Sequence, residues 1–125
     1  MSGFVFDPSE RGFRKVLKEY EELELRFLWS VGDDGAGSRA VMEAVNETLG
    51  AGESRSRASV IVSLNRLVDW SVLGFREGTG RGGHHRIYYS LMDELCFQAY
   101  LLETMVESMR RDFPEETREA LDEYL

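Results

Sequence analysis

The chain is expected to fold as a mainly α protein with one small β-hairpin. Three observations carry this. Apolar residues recur at spacings of three and four through most of its 125 residues. One glycine-rich stretch, 78–83, separates two short segments of strand character. Start and stop signals fall between the periodic stretches: Asp7-Pro8, Ser38, Gly50-Ala51-Gly52 and Pro114.

The elements follow in order. Asp7-Pro8 reads as a helix start, Asp at the N-cap and Pro at the first helical position. Phe13, Val16, Leu17, Tyr20, Leu23, Phe27, Leu28 and Val31 then form a helical stripe, so a first helix is expected over 13–31. The run 32–37, GDDGAG, is a turn. Ser38 can cap a second helix, 38–49, with Val41, Met42, Val45 and Leu49 on its apolar face. A third helix is expected over 54–70. Its Val60, Ile61, Leu64, Leu67 and Val68 face inward, and Arg55, Arg57, Ser59, Ser63 and Arg66 face outward. A hairpin over 73–90 follows, with a tip that tolerates positive φ. In its return strand His85, Ile87 and Tyr89 alternate with His84, Arg86 and Tyr88.

Ser90–Asp93 resembles a capping box opening a long helix. In that helix Met92, Leu95, Ala99, Leu102, Val106, Met109 and Phe113 form one stripe, and Phe97, Leu101 and Met105 form a second. So wide an apolar face exceeds what one small domain covers, and Leu95, Ala99, Leu102, Val106 and Met109 are read as a dimer seam. Pro114 ends the helix, and a short helix is expected over 115–125. Residues 1–90 thus form one domain and 91–125 a helical dimerisation segment.

Size and composition narrow the classes of function. No run of about 18 apolar residues is present, so no membrane span is expected. The N-terminus lacks a signal-type apolar segment, and Cys96 is the only cysteine, which makes the cytoplasm the expected compartment. The net charge is −8, which taken whole argues against nucleic acid. Divided, it reads differently. Residues 54–90 carry Arg55, Arg57, Arg66, Arg76, Arg81 and Arg86 against Asp69 and Glu77, a net of +4. The flanking segments, 1–53 and 91–125, carry −5 and −7.

A Ser/Arg helix face followed directly by a basic hairpin is how a winged helix-turn-helix meets DNA. The major groove admits an α-helix, and arginine can grip guanine O6 and N7 with two hydrogen bonds. Arg55, Arg57, Ser59, Ser63 and Arg66 are the candidate groove residues. Arg76, Arg81, His84 and Arg86 are candidates for backbone or minor-groove contact from the hairpin. Other chemistries find little support. GTGRGG lacks the GxxxxGK[ST] pattern and leads into a strand, so it is a weak nucleotide loop. His84 and His85 point to opposite faces of a strand, and no second cysteine stands at ligand spacing, so neither metal nor cofactor is expected. Cys96 reads as a small buried apolar residue, and Trp29 and Trp70 as core or interface residues. No nucleophile–base arrangement emerges from the spacing, and no enzyme activity is expected.

Residues 56–75, SRASVIVSLNRLVDWSVLGF, and then RIYYSL at 86–91 resemble the recognition helix and wing of prokaryotic winged-helix repressors. The element order over roughly 20–112 resembles the MarR-like group, and also the penicillinase-repressor and GbsR-like families. Those families commonly place glycine after the recognition helix, where this chain has Trp70-Ser71. The resemblance implies a homodimeric transcriptional regulator, a repressor, reading a two-fold operator in double-stranded DNA with half-sites about one helical turn apart. It also implies a small-molecule effector, for which no residue identifies a pocket. The alternative reading is a winged-helix protein-interaction module, which the net charge favours.

Overall fold

A computed structural model describes residues 4–80 and 83–125, with side chains described for all of these except 51, 79, 80, 83 and 84. The protein is mainly helical with a two-stranded antiparallel hairpin. In chain order it contains α1 (Glu19–Val31), α2 (Ser38–Leu49), α3 (Arg57–Asp69), β1 (Leu73–Gly80), β2 (Gly83–Ser90), α4 (Glu94–Asp112) and α5 (Pro114–Tyr124). The chain divides into two compact units, Met1–Leu91 and Met92–Leu125.

In the first unit, three helices close on a core of Leu25 and Leu28 from α1, Val41 and Val45 from α2, and Val60, Leu64 and Leu67 from α3. Val72, Leu73 and Tyr88 extend this core into the base of the hairpin. β1 and β2 pair in antiparallel register, with Phe75 opposite Tyr88, Arg76 opposite Ile87 and Glu77 opposite Arg86. Ala36, between α1 and α2, exchanges both backbone hydrogen bonds with Tyr88 at 2.9 Å, adding a one-residue third strand on β2. Gly35 makes that bridge possible. Its φ is +67°, and a Cβ there would collide with the Tyr88 carbonyl oxygen. The Trp29 indole donates to Ser90 Oγ at 3.1 Å, tying the end of α1 to the hairpin base.

The first helix is shorter than the periodicity predicts. Asp7 does not cap a helix. Its carboxylate accepts from the Ser9 amide at 3.0 Å and the Ser9 hydroxyl at 2.6 Å, making a tight turn that holds its pKa below the usual carboxylate range. A single 3-10 turn, Gly12–Lys15, follows, and α1 begins only at Glu19. The start lies there because Glu21, in the first turn, accepts from the Lys18 amide at 2.8 Å. Phe13 and Leu17 are still buried, so the apolar stripe is real although its first part is not α-helical.

α2 spans the predicted residues, with Gly37 rather than Ser38 at the N-cap. α3 is capped by Ser56, whose hydroxyl accepts from the Ser59 amide at 3.1 Å. At its end the Ser71 amide donates to Val68 O at 2.9 Å and the Val72 amide to Leu67 O at 3.0 Å. This is the Schellman pattern, with buried Val72 closing on buried Leu67. Its left-handed position is filled by Ser71, at φ +64°, the one non-glycine with positive φ among the described residues. The turn that glycine usually supplies is therefore made here by serine.

In the second unit, α4 is capped by Asp93 and not by Ser90, which ends β2. The Asp93 carboxylate accepts from the Cys96 amide at 2.8 Å and is held below its ordinary pKa by that bond. Cys96 is exposed, contrary to the expectation of burial. It sits in the first turn beside Asp93, which pushes its thiol pKa up and away from a reactive thiolate. The two apolar stripes of α4 separate cleanly by burial. Phe97 and Leu101 are buried, whereas Leu95, Leu102 and Met109 are 73%, 65% and 52% exposed. Pro114 opens α5, in which no residue is buried.

The left-handed region costs an ordinary L residue roughly 1–2 kcal/mol. Ser71→Gly is expected to raise stability by about 1 kcal/mol, the greater backbone entropy of glycine in the unfolded chain offsetting the rest. Thermal denaturation followed by circular dichroism reads this directly, and an unchanged or lower midpoint would contradict it.

Candidate functional site

The site is built on α3 and the face of the hairpin turned toward it. Val60, Ser63, Leu64 and Leu67 are the buried positions of α3. At 3.6 residues per turn the opposite side runs through Ala58, Val62, Asn65 and Asp69, with Arg66 on one flank. Ala58, Val62, Arg66 and Asp69 are exposed, and Asn65 is half-buried. This differs from the expected outward set.

Ser63 is the clearest correction. It is buried, and its hydroxyl donates to Glu24 Oε1 at 2.6 Å. Glu24, on α1, is itself fully buried, and desolvation pushes its carboxyl up to about 8. The Ser63 hydrogen bond and the charges of Arg55 and Arg66 oppose that rise, and Glu21 adds to it. Ser63 is the partner of Oε1, while Oε2, equally buried, has no hydrogen-bond partner among the described residues. The bond to Oε1 turns α3 so that Ser63 lies inside, while Ile61 is only half-buried.

The arginines are each held by a named contact. Asn46 of α2 clamps the Arg55 backbone, its Oδ1 accepting from the amide at 2.7 Å and its Nδ2 donating to the carbonyl at 3.0 Å. The Arg55 guanidinium lies 3.9 Å from the centre of the Tyr20 ring and donates to Ser59 Oγ at 2.9 Å. Arg57, the first residue of α3, is exposed and donates to Ser38 Oγ at 3.0 Å, on the side toward α2. Arg66 lies on the side toward α1, 3.6 Å from Glu21 Oε2. Ser59 is half-buried beside the N-cap.

The hairpin divides its cations between two faces. Arg86 stands on the α3 side, 3.9 Å from the centre of the Phe75 ring, and donates to Asn65 Oδ1 at 3.0 Å. The Tyr88 hydroxyl donates to the same Asn65 oxygen at 2.7 Å. Arg76 is on the other face, donating to the Asp33 carbonyl at 3.2 Å and to the Asp34 carbonyl. Arg76 braces the α1–α2 turn instead of joining the α3 surface. Arg81 and the side chain of His84 lie outside the described residues.

The site therefore gathers Arg55, Arg57, Ser59, Arg66 and Arg86 around α3, and leaves Ser63 and Arg76 out. Arg55, Arg57 and Arg86 are held by rings, hydroxyls and an amide, whereas Arg66 faces the Glu21 carboxylate; Arg86 also has Glu77 opposite it across the hairpin. Asn65 and Val62 were missed by sequence reasoning. The i, i+3, i+4, i+7 spacing of Val60, Ser63, Leu64 and Leu67 would have found them, had serine been admitted to the buried stripe. Among the described residues, no group of three or more His, Cys, Asp or Glu side chains could hold a metal ion. Among the described residues, no helix is long and apolar enough to cross a membrane.

Glu24 makes stability depend on pH in a defined direction. Its folded pKa is raised to about 8 from an ordinary 4.5, so its contribution is complete below the unfolded value. It is lost as pH rises through 4.5 and on to about 8. Glu24→Gln keeps an acceptor for Ser63 and removes the titration. Urea unfolding is expected to show the wild type weakening between pH 5 and pH 8.5 and the variant losing much less. Parallel pH profiles would refute the assignment.

No protein-family model matches the chain, and no curated protein gives a significant match to it.

Proposed function

We propose that this protein is a winged helix-turn-helix transcriptional regulator, a repressor, that binds double-stranded DNA as a homodimer. α3 is the recognition helix and the hairpin is the wing. The order α1, bridge residue Ala36, α2, α3, β1, β2 supports the winged reading, since Ala36 supplies the short strand that joins the wing to the helices. The observation that carries the function is the way the cations of residues 54–90 are held. Arg57 is exposed and oriented by the neutral Ser38 hydroxyl, and Arg86 is exposed and oriented by Asn65 and the Phe75 ring, which presents both guanidiniums to phosphate. A segment of net +4 in a chain of net −8 keeps that attraction local.

The homodimer rests on α4. Leu95, Ala99, Leu102, Val106, Met109 and Phe113 alternate in spacing of four and three, the seam pattern of two paired helices. The larger side chains at Leu95, Leu102 and Met109 are exposed in the single chain. A second reading, a winged-helix protein-interaction module, is favoured by the overall charge of −8. It requires no DNA affinity at all.

Fluorescence anisotropy with a random duplex pool and with the DNA upstream of the chain's own coding region separates the two. Binding is expected to be tighter to the upstream fragment and to fall steeply between two salt concentrations. Arg57→Ala and Arg86→Ala are each expected to weaken binding to every sequence similarly, and to lower the salt slope by about 1. Absence of binding at low salt would remove the DNA-reading function. For the dimer, sedimentation velocity at micromolar concentration is expected to give twice the chain mass, and Leu102→Asp the single mass with unchanged helicity. A monomeric wild type would end the seam assignment.

A further inference from the structure

We infer that α3 recognises base sequence through the C5-methyl groups of thymine, with Val62 as the specificity-determining residue and Ala58 one turn before it. The inference rests on the DNA-reading function proposed above and names what that reading would select.

The centre of the outward face of α3 is apolar. Val62 is 59% exposed. Among the described residues of the first unit, the other large apolar side chains so exposed are Val5, Phe6 and Leu91, all outside helices. Ala58, four residues earlier on the same face, is exposed as well. The polar groups nearby are committed elsewhere. Adenine readout by asparagine needs both the amide oxygen and the amide nitrogen. Asn65 Oδ1 already takes two hydrogen bonds, from Tyr88 at 2.7 Å and Arg86 at 3.0 Å. Arg57 and Arg66 stand on the two flanks, anchored toward α2 by Ser38 and toward α1 by Glu21.

A cation at the edge and an apolar centre fit the groove in one way. The Arg57 guanidinium, held only by the Ser38 hydroxyl, meets a phosphate wall, and the valine and alanine meet the floor. The apolar group that the major-groove floor presents is the methyl of thymine. Asp69 closes the face two turns beyond Val62, and its exposed carboxylate repels phosphate. Base contact is thereby confined to the earlier turns of α3, where Ala58 and Val62 sit.

The test uses the full-length protein and one duplex, the tightest-bound sequence recovered from a random pool. The duplex is synthesised once with thymine and once with uracil, which pairs identically and lacks only the methyl. Wild-type affinity is expected to fall about fourfold for each methyl contacted, the equivalent of exposing one methylene-sized group. Val62→Ser, at an exposed position where folding is checked by circular dichroism, is expected to weaken thymine binding and to lower the thymine-to-uracil ratio by about the fourfold that one methyl contact supplies, leaving only the share that Ala58 contributes. Salt-dependent binding with a wild-type ratio of one would overturn methyl recognition and leave DNA reading standing. A thymine-to-uracil ratio left unchanged in Val62→Ser would remove Val62 as the specificity-determining residue and overturn the inference. Failure to bind either duplex would overturn the DNA-reading function and this inference with it.

Discussion

The hydrogen bond from Ser63 to the buried carboxyl of Glu24 sets the rotation of α3 about its own axis, and the rest of the site follows from that rotation. A carboxyl in the core is driven neutral and draws in a hydrogen-bond donor, which here reaches Oε1 and leaves Oε2 unpaired among the described residues. With Glu24 fixed on α1, the short hydroxyl that reaches it has to point inward. Once Ser63 is inside, the helical period puts Arg57 toward α2 and Arg66 toward α1. Val62 is left at the centre of the outward side. A helix turned by one residue would present a different surface with the same composition. A buried polar pair that selects one packing arrangement over its neighbours is a recognised use of such groups, at some cost in stability.

The second constraint is the treatment of the arginines. A guanidinium on a solvated helix face spreads over many rotamers, and ordering it on contact with a partner costs conformational entropy. Here Arg55 is stacked on Tyr20, Arg86 on Phe75, and Arg57 is hydrogen-bonded to Ser38. Each contact restricts the side chain without cancelling its charge. That is pre-organisation for an anionic surface. Arg66 is the exception, since Glu21 faces it, and Glu21 is already engaged in capping α1. Arg76 uses the same fork geometry for a different end, holding the carbonyls of the α1–α2 turn that leads into Ala36.

Much of this architecture was legible in the residues, and the failures have physical causes. α2 spans the expected residues because Gly37 and Gly50 bound a clear apolar stripe. β1 and β2 likewise match the expected hairpin, since alternation and a glycine-rich tip are local signals. The start of α1 was not legible, because it depends on one carboxylate, Glu21, taking the Lys18 amide in place of Asp7 capping the chain eleven residues earlier. Ser63 was misplaced because a serine in an amphipathic helix is ordinarily counted as surface. Its burial is imposed by Glu24, thirty-nine positions away. Trp70-Ser71 looked like a departure from the glycine expected after the third helix. The backbone nevertheless takes the left-handed turn, because the two closing hydrogen bonds and the burial of Val72 outweigh the strain on Ser71.

The distribution of charge then bears on what kind of reader this chain could be. Outside residues 54–90 the two flanking segments carry −5 and −7, so attraction to DNA at long range is weak or absent. Within a Debye length of about 8 Å at physiological salt, only the cations nearest the phosphates count. Under the proposed function, affinity would have to come from a small number of placed guanidiniums and from shape. A reader of that kind gains little from indiscriminate binding and much from a close apolar fit. This is the setting in which one exposed valine on the recognition face can decide between sequences. Under the same reading, that weakness would favour a second copy. A single α3, supported by three or four cations, has little with which to hold one half-site. Joining two copies through the proposed Leu95–Met109 seam of α4 would make the second contact intramolecular, and so raise its effective concentration without adding a charge.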